Sequence, residues 1–458
     1  MPAATTVSPL LRSVSRPHGF EPLRVEGRLP EALRGTLYRA GPGLFERFGR
    51  RLAHAFEADG AVTAVRFDGR GAQGAVRLVE SAGFREEESA GRFLYSSSAS
   101  WLDRMRAVYR GASKSTGNTS TFLWQERLYA LMEGGLPQEM DLDTLDTLEA
   151  TKLGVIPAAF SAHPHRVASL KTTFNFGLRY GPKMLIDLFA LPDSGPAKKL
   201  GTIEAPWQSM VHDFMATERH LLIFLGPVKL NLFRAMLGLG DITKLFTWQP
   251  SLGSRLIVIP LDDLGSPRTL ELEPFWTWHF ANAFEDGEGL CVDLCRYSGF
   301  TLDDIGQLDE KGPPPLLTRL HVDSKAGKVR QTQLFEVPTE FPQLHPRLHG
   351  GRYGTLFAQT ERRTPDRKFQ GVTRIDVERG VGSEWAAPAG HVPSEPVLVP
   401  RSEAEDDAWV LDLVYDPASD HSYLAVLDGE RLEDGPLATV HFDQPIPVTF
   451  HGSFAAAR

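Results

Sequence analysis

Four histidines of this chain lie within apolar or aromatic segments. They occur as Ser-Ala-His163-Pro-His165, Val-His212-Asp-Phe, Trp-His279-Phe-Ala and Phe-His451-Gly. A buried imidazole is costly unless its ring nitrogens have partners. Four such side chains from distant parts of one chain most economically share a single partner. The sequence therefore predicts a metal site formed by His163, His212, His279 and His451.

The wide spacing of these histidines constrains both the metal and the fold. Local metal motifs place their ligands on one helical turn, and these four cannot come from one turn. Ligation by imidazole without thiolate suits Fe(II), Cu, Zn or Ni better than Mg or Ca. A β-propeller would bring distant segments together, because the inner strand of each blade lines its central channel. His165 is the alternative to His163, since a residue two positions along a strand faces the same side.

Three glutamates are candidate partners of these histidines. A metal-bound histidine usually donates its other N–H to a carboxylate or a carbonyl. Glu133, Glu340 and Glu395 each stand beside a proline or glycine, or one residue from it, among apolar residues, which is unusual for a solvated carboxylate. Three carboxylates leave one of four imidazoles without such a partner, and the sequence leaves open which one.

The rest of the chain reads as many short strands separated by turns. It contains 42 Gly and 33 Pro, and little helical periodicity is sustained. This pattern indicates an all-β protein, either a β-propeller or a pair of β-sandwiches. We expect an N-terminal arm, poorly ordered, over residues 1–20 and a single domain over 21–458. Clear strands are predicted at 127–132, 219–225, 289–295, 353–359 and 409–415.

Composition and charge narrow the function and the compartment. The 458 residues carry a net charge of −9 without a basic stripe, which excludes nucleic-acid binding. Cys291 and Cys295, four residues apart on one predicted strand, are expected to be buried reduced thiols. Because the sequence shows neither a signal-peptide pattern nor an apolar run long enough to span a membrane, we expect a cytoplasmic monomer. The stretches 182–192 and 227–240 combine Leu, Phe and Met with a few cations. They either cover the core or form a patch that touches a membrane surface.

Taken together, these motifs resemble the carotenoid cleavage oxygenase family, and the likeness covers nearly the whole chain. The closest likeness is to bacterial apocarotenoid oxygenases. Each string is short, but all of them occur in the family's order. They are Leu29-Pro-Glu-Ala-Leu-Arg-Gly-Thr-Leu-Tyr-Arg-Ala-Gly-Pro-Gly, Gly117-Asn-Thr, Met132-Glu-Gly-Gly-Leu-Pro, Ser161-Ala-His-Pro, Val211-His-Asp-Phe, His279-Phe-Ala-Asn-Ala-Phe-Glu, Glu340-Phe-Pro, Ser394-Glu-Pro-Val and Phe450-His-Gly-Ser.

The resemblance implies a fold and a set of roles. The fold would be a seven-bladed β-propeller capped by a dome of loops and short helices. The four histidines match the family's Fe(II) ligands, and the three glutamates match the carboxylates that hold those ligands. Residues of the substrate cavity, by the same comparison, are Thr119, Met132, Met210 and Trp278.

The implied activity is cleavage of a carbon–carbon double bond of a carotenoid or apocarotenoid by dioxygen, giving aldehydes. A lipophilic polyene and O2 would be the substrates. Two alternatives stay open: a relative that cleaves stilbenoids or phenylpropenoids, and a propeller that binds a ligand without catalysis. An isomerase-like activity is more remote. Members that cleave phenolic stilbenes typically carry a phenol-binding lysine where this chain has Met132, which favours an apolar substrate.

Overall fold

Short antiparallel strands make up most of the structure. The computed structural model describes residues 8–457 except 288, 301, 303–313 and 362–368. The first half of the described chain contains strands β1 (His18–Pro22), β2 (Arg24–Gly27), β3 (Arg34–Leu44), β4 (Glu46–Arg47), β5 (Arg50–Arg51), β6 (Asp59–Asp68), β7 (Ala72–Leu78), β8 (Ser120–Trp124), β9 (Arg127–Leu131), β10 (Gln138–Met140), β11 (Thr147–Ala150), β12 (His165–Val167), β13 (Thr172–Arg179), β14 (Met184–Pro192), β15 (Lys198–Ala205), β16 (Phe214–Ala216) and β17 (His220–Leu225).

The second half continues this pattern. Its strands are β18 (Val228–Leu230), β19 (Phe246–Trp248), β20 (Ser254–Pro260), β21 (Arg268–Leu272), β22 (Trp276–Asp286), β23 (Gly289–Tyr297), β24 (Leu316–Asp323), β25 (Lys328–Gln333), β26 (Thr339–Gln343), β27 (Thr355–Glu361), β28 (Phe369–Asp376), β29 (Val381–Ala386), β30 (Val397–Pro400), β31 (Ala408–Asp416), β32 (His421–Asp428), β33 (Ala438–His441) and β34 (His451–Ala456). The α-helices of the described chain are α1 (Ala82–Ala90), α2 (Trp101–Arg110), α3 (Leu232–Met236) and α4 (Ile242–Leu245).

These strands form the seven blades of a β-propeller, which confirms the predicted fold and rules out two packed sandwiches. Blade 1 has the order β1-β7-β6-β3-β34, and blade 2 has β11-β10-β9-β8. Blades 3 to 6 are β12-β13-β14-β15, β16-β17-β20-β21, β22-β23-β24-β25 and β26-β27-β28-β29. Blade 7 is β30-β31-β32-β33-β2. The small ribbons β4-β5 and β18-β19 lie outside the blades.

The two ends of the chain close the ring of blades. In blade 1 the C-terminal strand β34 pairs with β3, with Ala40 opposite His451. In blade 7 the N-terminal strand β2 pairs with β33. The innermost strands contact one another around the axis, β34 with β8 and β30, and β16 with β12 and β22. The closure therefore places residue 451 directly on the central axis.

The described part of the predicted N-terminal arm is packed rather than poorly ordered. Leu10 and Leu11 are buried in a 3₁₀ turn over Pro9–Leu11. Strand β1 then pairs with the outer strand β7 of blade 1. Apolar contacts and a strand ladder hold residues 8–20 in place, so the arm differs there from the expectation. Residues 1–7 lie outside the described chain.

The apolar core lies between neighbouring blades. Between blades 3 and 4, Ile186, Leu188 and Phe214 are fully buried. Strand β14 spans most of the stretch 182–192 that the sequence offered as a membrane patch. Its side chains are almost all buried in the cores between neighbouring blades, so the membrane-patch alternative fails for this stretch, which is a blade strand. Cys291 and Cys295 are buried free thiols, as predicted.

Two insertions build a dome over one face of the propeller. Helices α1 and α2 lie between blades 1 and 2, and α3 and α4 lie between β17 and β20 of blade 4. Serines cap both longer helices, Ser81 accepting from Phe84 N and Ser100 from Asp103 N. Among the described residues, none of the helices is both long and apolar enough to cross a membrane.

A buried ion-pair network fastens the dome to blade 1. Arg47 Nη1 lies 2.8 Å from both Asp59 Oδ2 in β6 and Glu87 Oε2 in α1. Lys114 Nζ lies 2.6 Å from carboxylate oxygens of the same two residues. Charges this well buried stabilise a fold only when each has its partner in good geometry. The network thus fixes α1 relative to the propeller.

Candidate metal centre

The four predicted histidines lie at the starts of inner strands. His163 and His212 precede β12 and β16 by two residues, and His451 is the first residue of β34. His279 is the fourth residue of β22. In blades 3, 4 and 5 the first strand is the innermost and the next strand runs antiparallel to it, whereas in blade 1 the innermost strand is the C-terminal β34, antiparallel to β3. The inner strands therefore begin at the same face of the ring, where the histidines meet.

A break in strand pairing presents His279 to this axis. On β22, Thr277 pairs with Arg296 and Phe280 pairs with Leu294, so β22 has one extra residue between these pairs. Such a bulge bends a strand and redirects its side chains, and bulges are common beside functional sites. His279 lies inside this bulge.

The four imidazoles converge on one point. Their candidate ligand atoms all lie within 4.8 Å of one another. The Nε2 atom of His279 is 3.4 Å from that of His212 and 3.2 Å from that of His451. The ring of His163 is centred 4.4 Å from His212 and 4.7 Å from His451. The structure thus brings together all four residues that the sequence singled out.

Each of the three predicted glutamates pairs with one of these histidines. His279 Nδ1 donates to Glu340 Oε2 at 2.5 Å, and His451 Nδ1 donates to Glu395 Oε1 at 2.8 Å. His212 Nδ1 contacts Glu133 Oε1. These contacts leave each Nε2 free to face the cluster. His163 forms no ion pair with a carboxylate of the described chain, which answers the question of the unpaired imidazole.

Further hydrogen bonds hold two of the carboxylates. Glu340 accepts from Tyr297 Oη and from Phe341 N, both at 2.7 Å. Glu395 also accepts from Gln343 Nε2 and Gly452 N, each at 2.9 Å. Carboxylates fixed in this way orient the imidazoles and raise their basicity as ligands.

Burial and charge set the protonation of the cluster. Burial lowers the pKa of both His163 and His451, which favours the neutral imidazole that binds metals. Burial also opposes the charged form of His279, but Glu340 outweighs it and the pKa of His279 is raised. Burial raises the pKa of Glu395 to about 7, against the effect of the nearby Arg39.

The residues of this cluster fit a metal ion. His163 Nε2 is buried and has no hydrogen-bond partner in the described structure. An unsatisfied buried nitrogen is costly, and a metal at the point of convergence would satisfy it. Four imidazoles with carboxylate partners are a donor set for a transition metal, with no preference on this ground among Fe(II), Cu, Zn and Ni.

The predicted cavity residues have different surroundings. Trp278 packs edge-on against His212, with ring centroids 4.8 Å apart. Met210 is buried in the same apolar cluster as Trp278. The carbonyl of Thr119 accepts from His451 N at 3.1 Å. The sulfur of Met132 accepts from Thr116 N at 3.1 Å.

Some residues near the histidines escaped sequence reasoning. Phe341 has a φ of 51°, unusual for a bulky residue, and its ring packs on His279 at 4.9 Å. It lies inside the Glu-Phe-Pro motif, which was the available signal. His165, the alternative ligand, instead pairs with Asp213 at 2.7 Å and lies outside the cluster. No feature of the local sequence predicts the contact between His165 and Asp213.

Comparisons with known proteins match this fold and site. The model of the family described as retinal pigment epithelial membrane protein (RPE65) matches residues 12–456. The apocarotenoid-15,15'-oxygenase of Synechocystis sp. is 30% identical, over 94% of this chain and 92% of its own. The isoeugenol monooxygenase of Pseudomonas nitroreducens is 26% identical, over 94% and 93%.

Solved structures agree with these sequences. The cobalt-substituted Synechocystis apocarotenoid oxygenase superposes with a TM-score of 0.89 at 27% identity, covering 99% of this chain and 100% of that one. A variant of the same oxygenase gives a TM-score of 0.90, covering 98% of both chains. This chain matches the family over nearly its whole length and has four histidines that meet on the propeller axis. It belongs to the RPE65/carotenoid cleavage oxygenase family.

Proposed function

We propose that this protein is an Fe(II)-dependent dioxygenase that cleaves a carbon–carbon double bond of a carotenoid or apocarotenoid into two aldehydes. The observation that carries the proposal is the convergence of His163, His212, His279 and His451 beside an aromatic wall. The similarity to an apocarotenoid oxygenase over 94% of the chain supports the substrate class.

The chain's residues divide the work of this reaction. The four histidines would hold Fe(II), and Glu133, Glu340 and Glu395 would fix their orientation. The bound iron would supply the activation of dioxygen. If both atoms of O2 enter the two carbonyl products, the reaction balances without an external reductant. The protein must then place one alkene beside the metal and exclude the others.

An apolar cluster beside His212 is suited to that placement. Met210, Val228 and Trp276 are buried in it, and Trp278 packs against them. Trp276 and Trp278 meet edge to face, with centroids 5.1 Å apart. The middle of a polyene offers no polar handle, so the shape of such a wall must select the bond that is cut. This favours a long apolar substrate over a small phenol.

The same cluster leads outwards to the dome. Ile242 in α4 and Phe246 in β19 pack against it. Both belong to the segment that follows the second apolar stretch, residues 227–240. Apolar side chains are therefore in contact from residues 242–246 to the wall beside the metal centre.

The exposed face of the stretch 227–240 supports a contact with a lipid surface. On α3, which lies within it, Phe233 is 71% exposed and Met236 is 59% exposed. Helix α2 adjoins it, since Trp101 Nε1 donates to Leu237 O at 3.1 Å. Leu102 and Tyr109 of α2 are 60% and 92% exposed. We propose that this α2–α3 patch docks a cytoplasmic enzyme on the membrane that dissolves its substrate.

The function is tested by iron analysis and product identification. The purified protein is loaded with Fe(II) without oxygen and mixed with an apocarotenal in detergent under ¹⁸O2. We expect one iron per chain, bleaching of the polyene and ¹⁸O in both fresh aldehydes, measured before exchange with water. Iron-loaded protein that leaves every apocarotenal intact would contradict the proposal.

A matched pair of histidine variants isolates the site. His279→Ala removes a central member of the cluster and should abolish iron binding and bleaching. His220→Ala removes a histidine that also pairs with a glutamate, Glu285 at 3.0 Å, but outside the cluster. It should keep both iron and activity. Iron content and bleaching that are unchanged in His279→Ala would contradict the proposed site.

The phenylpropenoid alternative rests on the similarity to an isoeugenol monooxygenase. Isoeugenol and a hydroxystilbene are therefore assayed beside the apocarotenal. We expect the native chain to prefer the apocarotenal, because Met132 cannot bind a phenolate. Met132→Lys should raise turnover of the hydroxystilbene relative to the apocarotenal. A native preference for isoeugenol would favour the alternative.

Docking is tested by flotation with phosphatidylcholine vesicles that contain phosphatidylglycerol. The double variant Phe233→Ser/Met236→Ser should lose vesicle binding and keep activity in detergent. Leu148 and Val381 are also exposed, at 49% and 51%, and lie outside the patch. Their double serine variant is the matched control and should bind vesicles like the native protein. Equal binding of both variants would remove the docking proposal.

A further inference from the structure

The carboxylate of Asp213 connects three of the four histidine segments. Its Oδ1 atom accepts from His165 Nε2 at 2.7 Å and from Phe214 N at 2.8 Å. Its Oδ2 atom accepts from Phe280 N at 2.9 Å. Asp213 itself directly follows His212. One side chain thus touches the segments that carry His163, His212 and His279.

The bond to Phe280 satisfies a buried backbone N–H within the irregular part of β22. Pairing between β22 and β23 is irregular on both sides of Phe280, where the extra residues of β22 lie. A buried N–H needs an acceptor. Asp213 Oδ2 supplies it from the next blade. The bulge that presents His279 therefore depends on a residue adjacent to His212.

The bond to His165 extends the same tie to the third histidine. His165 begins β12, and only Pro164 separates it from His163. Proline fixes its own φ angle and restricts the residue before it. The segment is therefore short and stiff, and the position of the His165 ring is transmitted to His163.

The chemistry of a carboxylate suits this position. Asp213 is 4% exposed and accepts three hydrogen bonds, which a carboxylate can do because both of its oxygens are acceptors. An asparagine of the same shape keeps one acceptor oxygen and turns an NH2 group towards at least one donor. A buried donor facing a donor is strongly unfavourable.

We propose that Asp213 is a positioning residue that sets the mutual placement of His163, His212 and His279. It does so without contacting the metal, by holding the three strand starts in one arrangement. His451 is outside this tie. The inference rests on the four-histidine metal site of the proposed function, and it is independent of the substrate.

The test is Co²⁺ binding by the full-length apoprotein. Co²⁺ titration gives an affinity, and the visible absorption of bound Co²⁺ reports ligand geometry. We expect Asp213→Asn to weaken Co²⁺ binding about 10- to 100-fold and to change the absorption bands, with all four histidines intact. Unchanged affinity and bands in Asp213→Asn would overturn the inference.

A buried aspartate on β23, the second strand of blade 5, provides the matched control. Asp293 is fully buried and accepts from Arg319 Nη2 at 2.7 Å and Tyr353 Oη at 2.6 Å. Asp293→Asn should lower thermal stability but leave the Co²⁺ affinity and bands unchanged. A shift of the bands as large as that in Asp213→Asn would show a general structural effect and overturn the inference.

Variants of His165 decide the question if Asp213→Asn does not fold. His165→Gln keeps an N–H that can donate to Asp213, whereas His165→Leu removes it. We expect Co²⁺ binding near the native level in the first and about tenfold weaker in the second. Equal Co²⁺ binding by the two His165 variants overturns this inference and leaves the metal site of the proposed function unaffected. A native apoprotein that takes up no Co²⁺ would overturn the metal site of the proposed function.

Discussion

The two sides of the histidine cluster are held by different chemistry. On one side, Asp213 ties three histidine segments from three neighbouring blades. On the other side, His451 starts the C-terminal strand that closes the propeller. Three histidines therefore depend on contacts between adjacent blades, whereas the fourth depends on the meeting of the two ends of the chain.

Arg39 is the counterpart of Asp213 on the closing side. It is 1% exposed and lies on β3 opposite Gly452. Its Nε atom donates to Thr449 Oγ1 at 2.8 Å, and Nη1 donates to Glu395 O at 2.7 Å. Arg39 thus joins the segment before His451 to the segment of its carboxylate partner. Ring closure and assembly of the metal centre therefore depend on the same residues.

Loss of Arg39 should give the largest effect on the closing side. Arg39→Met removes these hydrogen bonds and leaves Glu395 without its buried cation, which typically costs about 3–5 kcal/mol. We expect a large drop in the free energy of unfolding in urea and weaker Co²⁺ binding. Arg319→Met, which breaks a buried pair with Asp293 (2.7 Å), is the control. It should destabilise the protein without changing the Co²⁺ affinity. A weaker Co²⁺ affinity in Arg319→Met would show that the effect of Arg39→Met is not specific to the closing side.

Removal of the metal should loosen the closing side first. A ligand at 100 times its dissociation constant stabilises a fold by about 2.7 kcal/mol, and chelation removes that contribution. Asp213 continues to hold its three segments, whereas β34 loses its link to them through His451. Hydrogen–deuterium exchange should therefore rise more in β3 and β34 than in β16 and β22. Faster exchange in β16 and β22 would contradict this order.

Glu340 and Glu133 should contribute differently to metal affinity, because one is buried and the other is partly exposed. Glu340 is 4% exposed as a side chain and accepts three hydrogen bonds, whereas the Glu133 side chain is 23% exposed. Glu340→Gln turns an NH2 group towards buried donors, and Glu133→Gln can turn it towards solvent. We expect metal affinity to fall about 100-fold in the first and about tenfold in the second. Metal titration measures both, and the reverse order would contradict the argument from burial.

The hydroxyl of Tyr297 should have the smallest effect. Tyr297→Phe removes one of the hydrogen bonds to Glu340 and keeps those from His279 and Phe341. A single hydrogen bond to a charged group contributes about 1.5–3 kcal/mol at most, and less when other donors remain. We expect a loss of metal affinity below that of Glu340→Gln in the same titration. A larger loss would mean that the tyrosine does more than hold Glu340.

Much of the site could be predicted because its residues conflict with their local sequence. A histidine among Phe and Trp, or a glutamate beside Pro or Gly in an apolar run, needs an explanation that only a distant partner supplies. Alternating apolar runs and turns indicated an all-β fold of propeller or sandwich type, and the resemblance to a known family implied the seven blades. The prediction that Cys291 and Cys295 are buried free thiols followed from their spacing on one strand.

The residues that were missed carry no such local signal. Arg39 on β3 and Asp213 just before β16 lie within motifs of the family resemblance, but their roles arise from contacts between segments that are far apart in the chain. The stretch 182–192 failed for a related reason. A central blade strand and a surface patch can have the same composition, and only the pairing of β14 with β13 and β15 separates them.

Iron content and cleavage products can be measured together in one sample of the protein. Native protein loaded with Fe(II) is quantified for iron and then given an apocarotenal under ¹⁸O2, with the products read by mass spectrometry. We expect one iron per chain and two aldehydes that both carry ¹⁸O, and the loss of both results in His279→Ala. Cleavage that persists in His279→Ala, or a full complement of iron without cleavage, would contradict this expectation.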